Sequence, residues 1–307
     1  MLNEDAKGVY IISATPFTDD GDLDLESASR LVDFYIDKGV SGITILGMMG
    51  EAPKLAPEES TAFLQHMLKR VDGRVPVVVG VSGAGLGNMK SLSQTSMDEG
   101  AAGVMVAPMG GLNTEEKLYN YYAQVFQTLG DRVPVVYQDF PLVTGVSISA
   151  PMFTKLVKDF DQLVMLKHED WPGLNKLSLV RNTAKAEGAR RVSVLCGNGG
   201  LYLPQELARG ADGAMTGFAY PEMLVEVVER FHAGEQDAAE DLFDIYLPLV
   251  RHEQQPGFGL ALRKEILRRR GAISSAATRA PGPKLNSTDH DELTRLTARL
   301  EKQLSAR

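Results

Sequence analysis

VPVVVGV, residues 75–81, is an unbroken apolar run rich in β-branched side chains. A strand with one face in water alternates apolar and polar residues. A strand covered on both faces does not, and that is the habit of parallel sheets flanked by helices. Runs of the same kind recur: GVYIISATP (8–16), SGITILG (41–47), AGVMVAP (102–108), VPVVYQD (133–139), QLVMLKH (162–168), RVSVLCG (191–197) and ADGAMTG (211–217). That makes eight candidate strands. Segments with helical spacing separate them. In DLDLESASRLVDFYIDKG (22–39), Asp24 suits an N-cap, Leu31, Val32, Tyr35 and Ile36 share a face, and Gly39 can close the end. Pro57, followed by Glu58 and Glu59, suits a first helical turn, and TEEKLYNYYAQVFQTLG (114–130) ends on Gly130.

Eight strand–helix units without a linker-like break predict an α/β fold, a TIM (β/α)8 barrel, over residues 1–221. The alternative is an open doubly wound sheet, which usually has fewer strands and a glycine fingerprint after the first. From residue 222 to 307 the pattern is helical only, so a C-terminal helical extension packed on the barrel is expected. Within it, residues 271–288 are rich in Pro, Gly and Ser and read as a loop before a last amphipathic helix, DELTRLTARLEKQL (291–304).

Composition narrows the function classes. Of 307 residues, 44% are hydrophobic and 23% charged, and the net charge of −8 disfavours nucleic acid and anionic membranes as partners. No apolar run approaches the roughly 18 residues of a membrane span. The acidic start MLNEDAKGVY lacks a signal peptide's layout, and Cys196 as sole cysteine permits no intrachain disulfide, so a cytoplasmic location is expected. The five histidines are scattered with no metal-ligand spacing, and SGAGLG (82–87) has the wrong glycine spacing for a dinucleotide. No metal or cofactor is expected. The expected partner is a small molecule.

In a TIM barrel the reactive groups lie at the C-terminal strand ends. Lys167, at the end of the sixth run, is the strong nucleophile there: desolvation favours its neutral amine, which can condense with a ketone. A random strand-end lysine is usually solvated, but here the strand ends in the mouth. Tyr137, ending VPVV, could pass a proton to the departing oxygen, although a core tyrosine with one hydrogen bond is the commoner fate. In GMMGE (47–51), the backbone of Met48, Met49 and Gly50 could turn N–H groups inward to hold a carboxylate, the plain alternative being a tight turn. Asp139, His168, Glu169 and Asp170 could each serve as an acid or base, although solvated loop charges are commoner.

These segments, in this order, resemble the dihydrodipicolinate synthase / N-acetylneuraminate lyase family of Schiff-base lyases. GMMGE stands at the family's G-T-T-G-E, YQDFP (137–141) at its Y-N-x-P, and VMLKHE (164–169) at its Schiff-base lysine strand. The resemblance implies Lys167 as the Schiff-base former, Tyr137 as the proton shuttle, and Met48, Met49 and Gly50 at the substrate carboxylate. It further implies that Gly197 and Met215 face the substrate and that the chain is a homo-oligomer, tetramer or dimer. Three parts of the synthase machinery are absent. Methionines replace both threonines, Met109 or Gly110 stands where a tyrosine is expected, and Val143 replaces an arginine. QDFP and the tail are similar to the branch of 2-keto-3-deoxy sugar-acid dehydratases. The resemblance therefore implies a Schiff-base lyase acting on a 2-keto acid, by dehydration or by aldol cleavage or condensation. The alternatives are 4-hydroxy-tetrahydrodipicolinate synthase and a catalytically silent paralogue that binds a keto acid.

Overall fold

The computed structural model describes residues 1–83 and 85–306. Eight parallel strands close on themselves in sequence order: β1 (Gly8–Ile12), β2 (Gly42–Ile45), β3 (Val77–Gly80), β4 (Gly103–Val106), β5 (Val135–Asp139), β6 (Leu163–His168), β7 (Ser193–Cys196) and β8 (Gly213–Ala214). Each falls inside one of the eight apolar runs. The helices between them are α1 (Leu25–Asp37), α2 (Pro57–Val71), α3 (Leu86–Asp98), α4 (Glu115–Leu129), α5 (Pro141–Thr144), α6 (Ala150–Asp159), α7 (Leu174–Ala186) and α8 (Leu203–Ala208). Then come α9 (Pro221–His232), α10 (Gln236–Glu253), α11 (Gly259–Arg269) and α12 (Ser287–Leu304). The start signals act as their chemistry dictates. Asp24 accepts from the Ser27 N–H at 2.8 Å, Pro57 is the first residue of α2, and Asn286 and Asp289 form a capping box that starts α12 four residues before the expected DELT.

Buried side chains form two layers. Tyr10, Ile12, Val78, Met105, Val136, Met165, Leu195 and Met215 fill the barrel interior. Their strand neighbours, such as Val79, Val104, Tyr137 and Val194, face the helices instead. Alternation is strict except on β6, where Val135 pairs with Leu163 but Val136 pairs with Met165. Val164 is thus an inserted residue, a β-bulge that resets the phase of the strand. With Met165 inward and Leu166 outward, Lys167 points in and His168 out.

The boundary expected at residue 221/222 shifts. α9 packs on β1 and β8, which makes it the helix that completes the barrel, so the extension proper begins with α10. α10 then packs on α9, and α12 on α10. Among the described residues, no helix is long and apolar enough to cross a membrane.

Candidate active site

Lys167 is only 4% exposed although it ends a strand at the open rim of the barrel, so the solvated alternative fails. Its Nζ lies 2.9 Å from Glu169 Oε2, and the same oxygen accepts from Gln138 Nε2 at 2.8 Å. Gln138 is the register partner of Lys167 on β5, so two adjacent inward positions meet one carboxylate. Glu169 reaches back over the end of β7, where Gly197 takes the next inward position after Leu195. A Cβ on Gly197 would collide with the Glu169 Cγ and carboxyl. The Asn198 amide holds the loop by donating to the Glu169 carbonyl at 3.1 Å.

The other three acid–base candidates turn away from the mouth. Asp139 and His168 are outward neighbours, with Asp139 Oδ2 2.7 Å from Lys176 Nζ and 3.7 Å from His168 Nδ1. His168 Nε2 faces the Gly173 carbonyl at 2.9 Å, and Asp170 Oδ2 also meets Lys176 Nζ, at 2.8 Å. Burial lowers the His168 pKa, but its contact with Asp139 outweighs this and raises it. These groups pin the β5–β6 loops from outside.

The proton-shuttle role expected of Tyr137 is corrected by the same alternation. Tyr137 pairs with the outward Leu166, stacks on Tyr122 of α4 with ring centroids 4.6 Å apart, and meets Phe153 of α6 edge-on at 5.9 Å. Its hydroxyl is on the opposite side of the sheet from Lys167, and burial, with the Asp139 charge, pushes its pKa well above the ordinary value. The spacing to Pro141 carries the signal that identifies the inward residue. Tyrosine precedes proline by three in Y-N-x-P, and the residue three before Pro141 is Gln138. Tyr137→Phe is therefore expected to leave kcat nearly intact; a fall beyond about tenfold, the scale of lost acid–base catalysis, would contradict this placement.

The GMMGE turn lies across the mouth. Among the described residues, the backbone N–H groups of Met48, Met49 and Gly50 find no acceptor, and Thr15 Oγ1 fixes the turn by donating to the Gly50 carbonyl at 2.6 Å. Three free N–H groups in one turn are the pattern of an anion cradle. Glu51 faces the other way and is 2% exposed. Its Oε1 accepts from Lys264 Nζ of α11 at 2.6 Å, and its Oε2 accepts from Lys54 Nζ at 2.8 Å and from the Arg279 N–H at 3.0 Å. The helical extension is thus tied to the cradle from behind, a role for Glu51 that the residues alone did not disclose.

Met215 lies in the barrel interior, two positions below Gly217. Val143 is 60% exposed on α5, and Met109 is 39% exposed beyond β4. A cavity of about 500 Å³ begins at Gly47, Met48, Met105 and Gln138 and runs outward between α2 and α3. Among the described residues that line it, none is charged.

A closed (β/α)8 barrel that buries a lysine against a carboxylate at its mouth has the layout of a barrel enzyme with a nucleophilic amine. The chain matches the dihydrodipicolinate synthetase family over residues 5–302 and belongs to it. It is 31% identical to an L-2-keto-3-deoxyarabonate dehydratase of Azospirillum brasilense, over 96% of this chain and 94% of the relative. Among solved structures, it is similar to a dihydrodipicolinate synthase of Rhodopseudomonas palustris (TM-score 0.95, 47% identity, 97% of this chain and 99% of that one). It is also similar to the Escherichia coli prophage protein YagE, solved in complex with pyruvate (TM-score 0.87, 26% identity, 96% and 98%).

Proposed function

We propose that the protein forms a Schiff base at Lys167 with a 2-keto acid and removes water from a 2-keto-3-deoxy sugar acid. The single observation that carries this is the buried contact of Lys167 Nζ with Glu169 Oε2. The carboxylate can take a proton from the ammonium, and the freed amine adds to the C2 carbonyl. Glu169 then returns the proton as the carbinolamine loses water, leaving an iminium that acidifies C3. Glu169, again a carboxylate, takes the C3 proton to leave an enamine and hands that proton to the departing C4 hydroxyl, so that one water is eliminated, and hydrolysis of the resulting iminium releases product and amine. Gln138 holds Glu169 between these steps. The N–H groups of Met48, Met49 and Gly50 bind the C1 carboxylate, and Gly197 and Met215 line the space around C2 and C3.

Dehydration is favoured over synthase chemistry by residues at the mouth. Gln138 takes the inward place on β5, Val143 stands out in solvent, and the side cavity carries no charge to meet a second carboxylate. A cytoplasmic homo-oligomer completes the reading. Borohydride with pyruvate should add covalently at Lys167, and Lys167→Ala should take up none; an adduct elsewhere, or none, overturns the proposal. Mass spectrometry on 2-keto-3-deoxy sugar acids should then show loss of one water. Cleavage to pyruvate and an aldehyde would move the assignment to an aldolase, condensation with pyruvate to a synthase, and no turnover at all to a silent binder.

A further inference from the structure

Gly217 follows Met215 and Thr216 at the end of β8 and takes the next inward position at the mouth. Its missing side chain leaves room for two groups from distant parts of the chain. A Cβ there would collide with the Met49 sulfur and stand 3.2 Å from Arg263 Nη1. Arg263 belongs to α11 of the extension, yet its guanidinium enters the barrel mouth, and its side chain is 9% exposed. Its Nε donates to Glu253 Oε2 at 2.8 Å. Its outer edge meets the Met49 thioether through Nη1, and neither Nη finds an oxygen acceptor among the described residues.

A guanidinium has five N–H donors, and a thioether is a weak acceptor. Leaving charged donors short of oxygen in a buried place is costly, and such an edge is suited to a carboxylate, which matches it in two parallel hydrogen bonds. Met49 is also flexible about three torsions, so its sulfur can give way to a better acceptor. The same Met49 packs against the barrel interior and forms part of the cradle whose N–H groups are free. Resting on the assignment of Lys167 as the imine former, we propose that Arg263 is the cation of the substrate site: its Nη edge binds the C1 carboxylate of the 2-keto acid, displacing the Met49 thioether. The cradle alone offers only neutral donors, and Arg263 supplies its charge.

The test compares two ketones that differ in that charge. Borohydride trapping at Lys167 is measured against concentration for pyruvate and for methyl pyruvate, in the unmutated protein and in three variants. Arg263→Gln should raise the half-saturating pyruvate concentration roughly 10- to 100-fold, the scale of a lost hydrogen bond to a charged group. Methyl pyruvate should be unaffected. Arg263→Lys should recover part of the loss. Gly217→Ala keeps the arginine but pushes it aside, and should reproduce the selective loss. Unchanged pyruvate trapping in Arg263→Gln, or equal losses for both ketones in both Arg263→Gln and Gly217→Ala, overturns the proposal while leaving the lysine chemistry intact. An unmutated protein that traps neither ketone overturns the imine assignment and this proposal with it.

Discussion

Glu169→Gln is expected to lower kcat by roughly 10²- to 10⁴-fold, the usual contribution of a positioned acid–base group. Glutamine preserves the size of the side chain and an oxygen that can accept from Gln138. The change therefore removes the charge beside Lys167 Nζ and the capacity to move a proton, and little else. Imine formation should survive in part, because the nucleophile is untouched. Slow trapping with almost no dehydration is the expected signature. Gly197→Ala should resemble it, since the new Cβ would occupy the place of the Glu169 carboxyl. If Glu169→Gln turned over at the unmutated rate, the proton transfers would have to belong to another group, and the role given to Glu169 would be wrong.

Lys264→Met should destabilise the fold by about 3–5 kcal/mol, the cost of breaking a buried ion pair and leaving its partner charged. Lys264 is fully buried, with Nζ 2.6 Å from Glu51 Oε1, 2.8 Å from the Ala277 carbonyl and 4.5 Å from the centre of the Phe17 ring. Burial pulls its pKa below the usual lysine range, against the opposing pull of Glu51. Methionine restores the stem of the side chain but not its charge, which leaves Glu51 with only Lys54 and the Arg279 N–H. Thermal unfolding should show a fall of roughly 5–8 °C in Tm for a chain of this size. Lys54→Met serves as the contrast, because Lys54 is 27% exposed and a pair open to solvent contributes about 0–1 kcal/mol. Equal effects in the two variants would show that depth of burial is not what makes Lys264 important.

The barrel was legible in the residues because strands buried on both faces write themselves as continuous apolar runs, and all eight runs hold a strand. The same continuity hides which way each residue faces. VVYQD is buried throughout, so hydrophobicity cannot tell Tyr137 from Gln138 as the inward one; only the count back from Pro141 does. Lys167 stands out in the residues by its position at a strand end, but its inward direction depends on the bulge at Val164, which no periodicity marks. Glu169 stood among four equivalent acid–base candidates until the fold turned the other three outward. Arg263 could not be read at all. It lies 214 residues from the Met49 it touches, inside a basic stretch whose plainest reading is a solvated helix face. The barrel boundary moved for a similar reason, since α9 has the composition of the extension but the packing of a barrel helix.

Gly197 and Gly217 give the rim an unusual division of labour. Above Leu195 and Met215 the next inward positions of these two segments carry no side chain, and the space over Gly197 and Gly217 is filled by a carboxylate from the β6 loop and a guanidinium from the extension. The two act as interchangeable inserts on a fixed ring. On the proposed chemistry, exchanging the residue at 169 or 263 should alter what meets the ketone, while Met165, Leu195 and Met215 pack in the layer beneath. A new chemistry on this scaffold would therefore be sought first in what is fitted over the two glycines, with the strands left as they are.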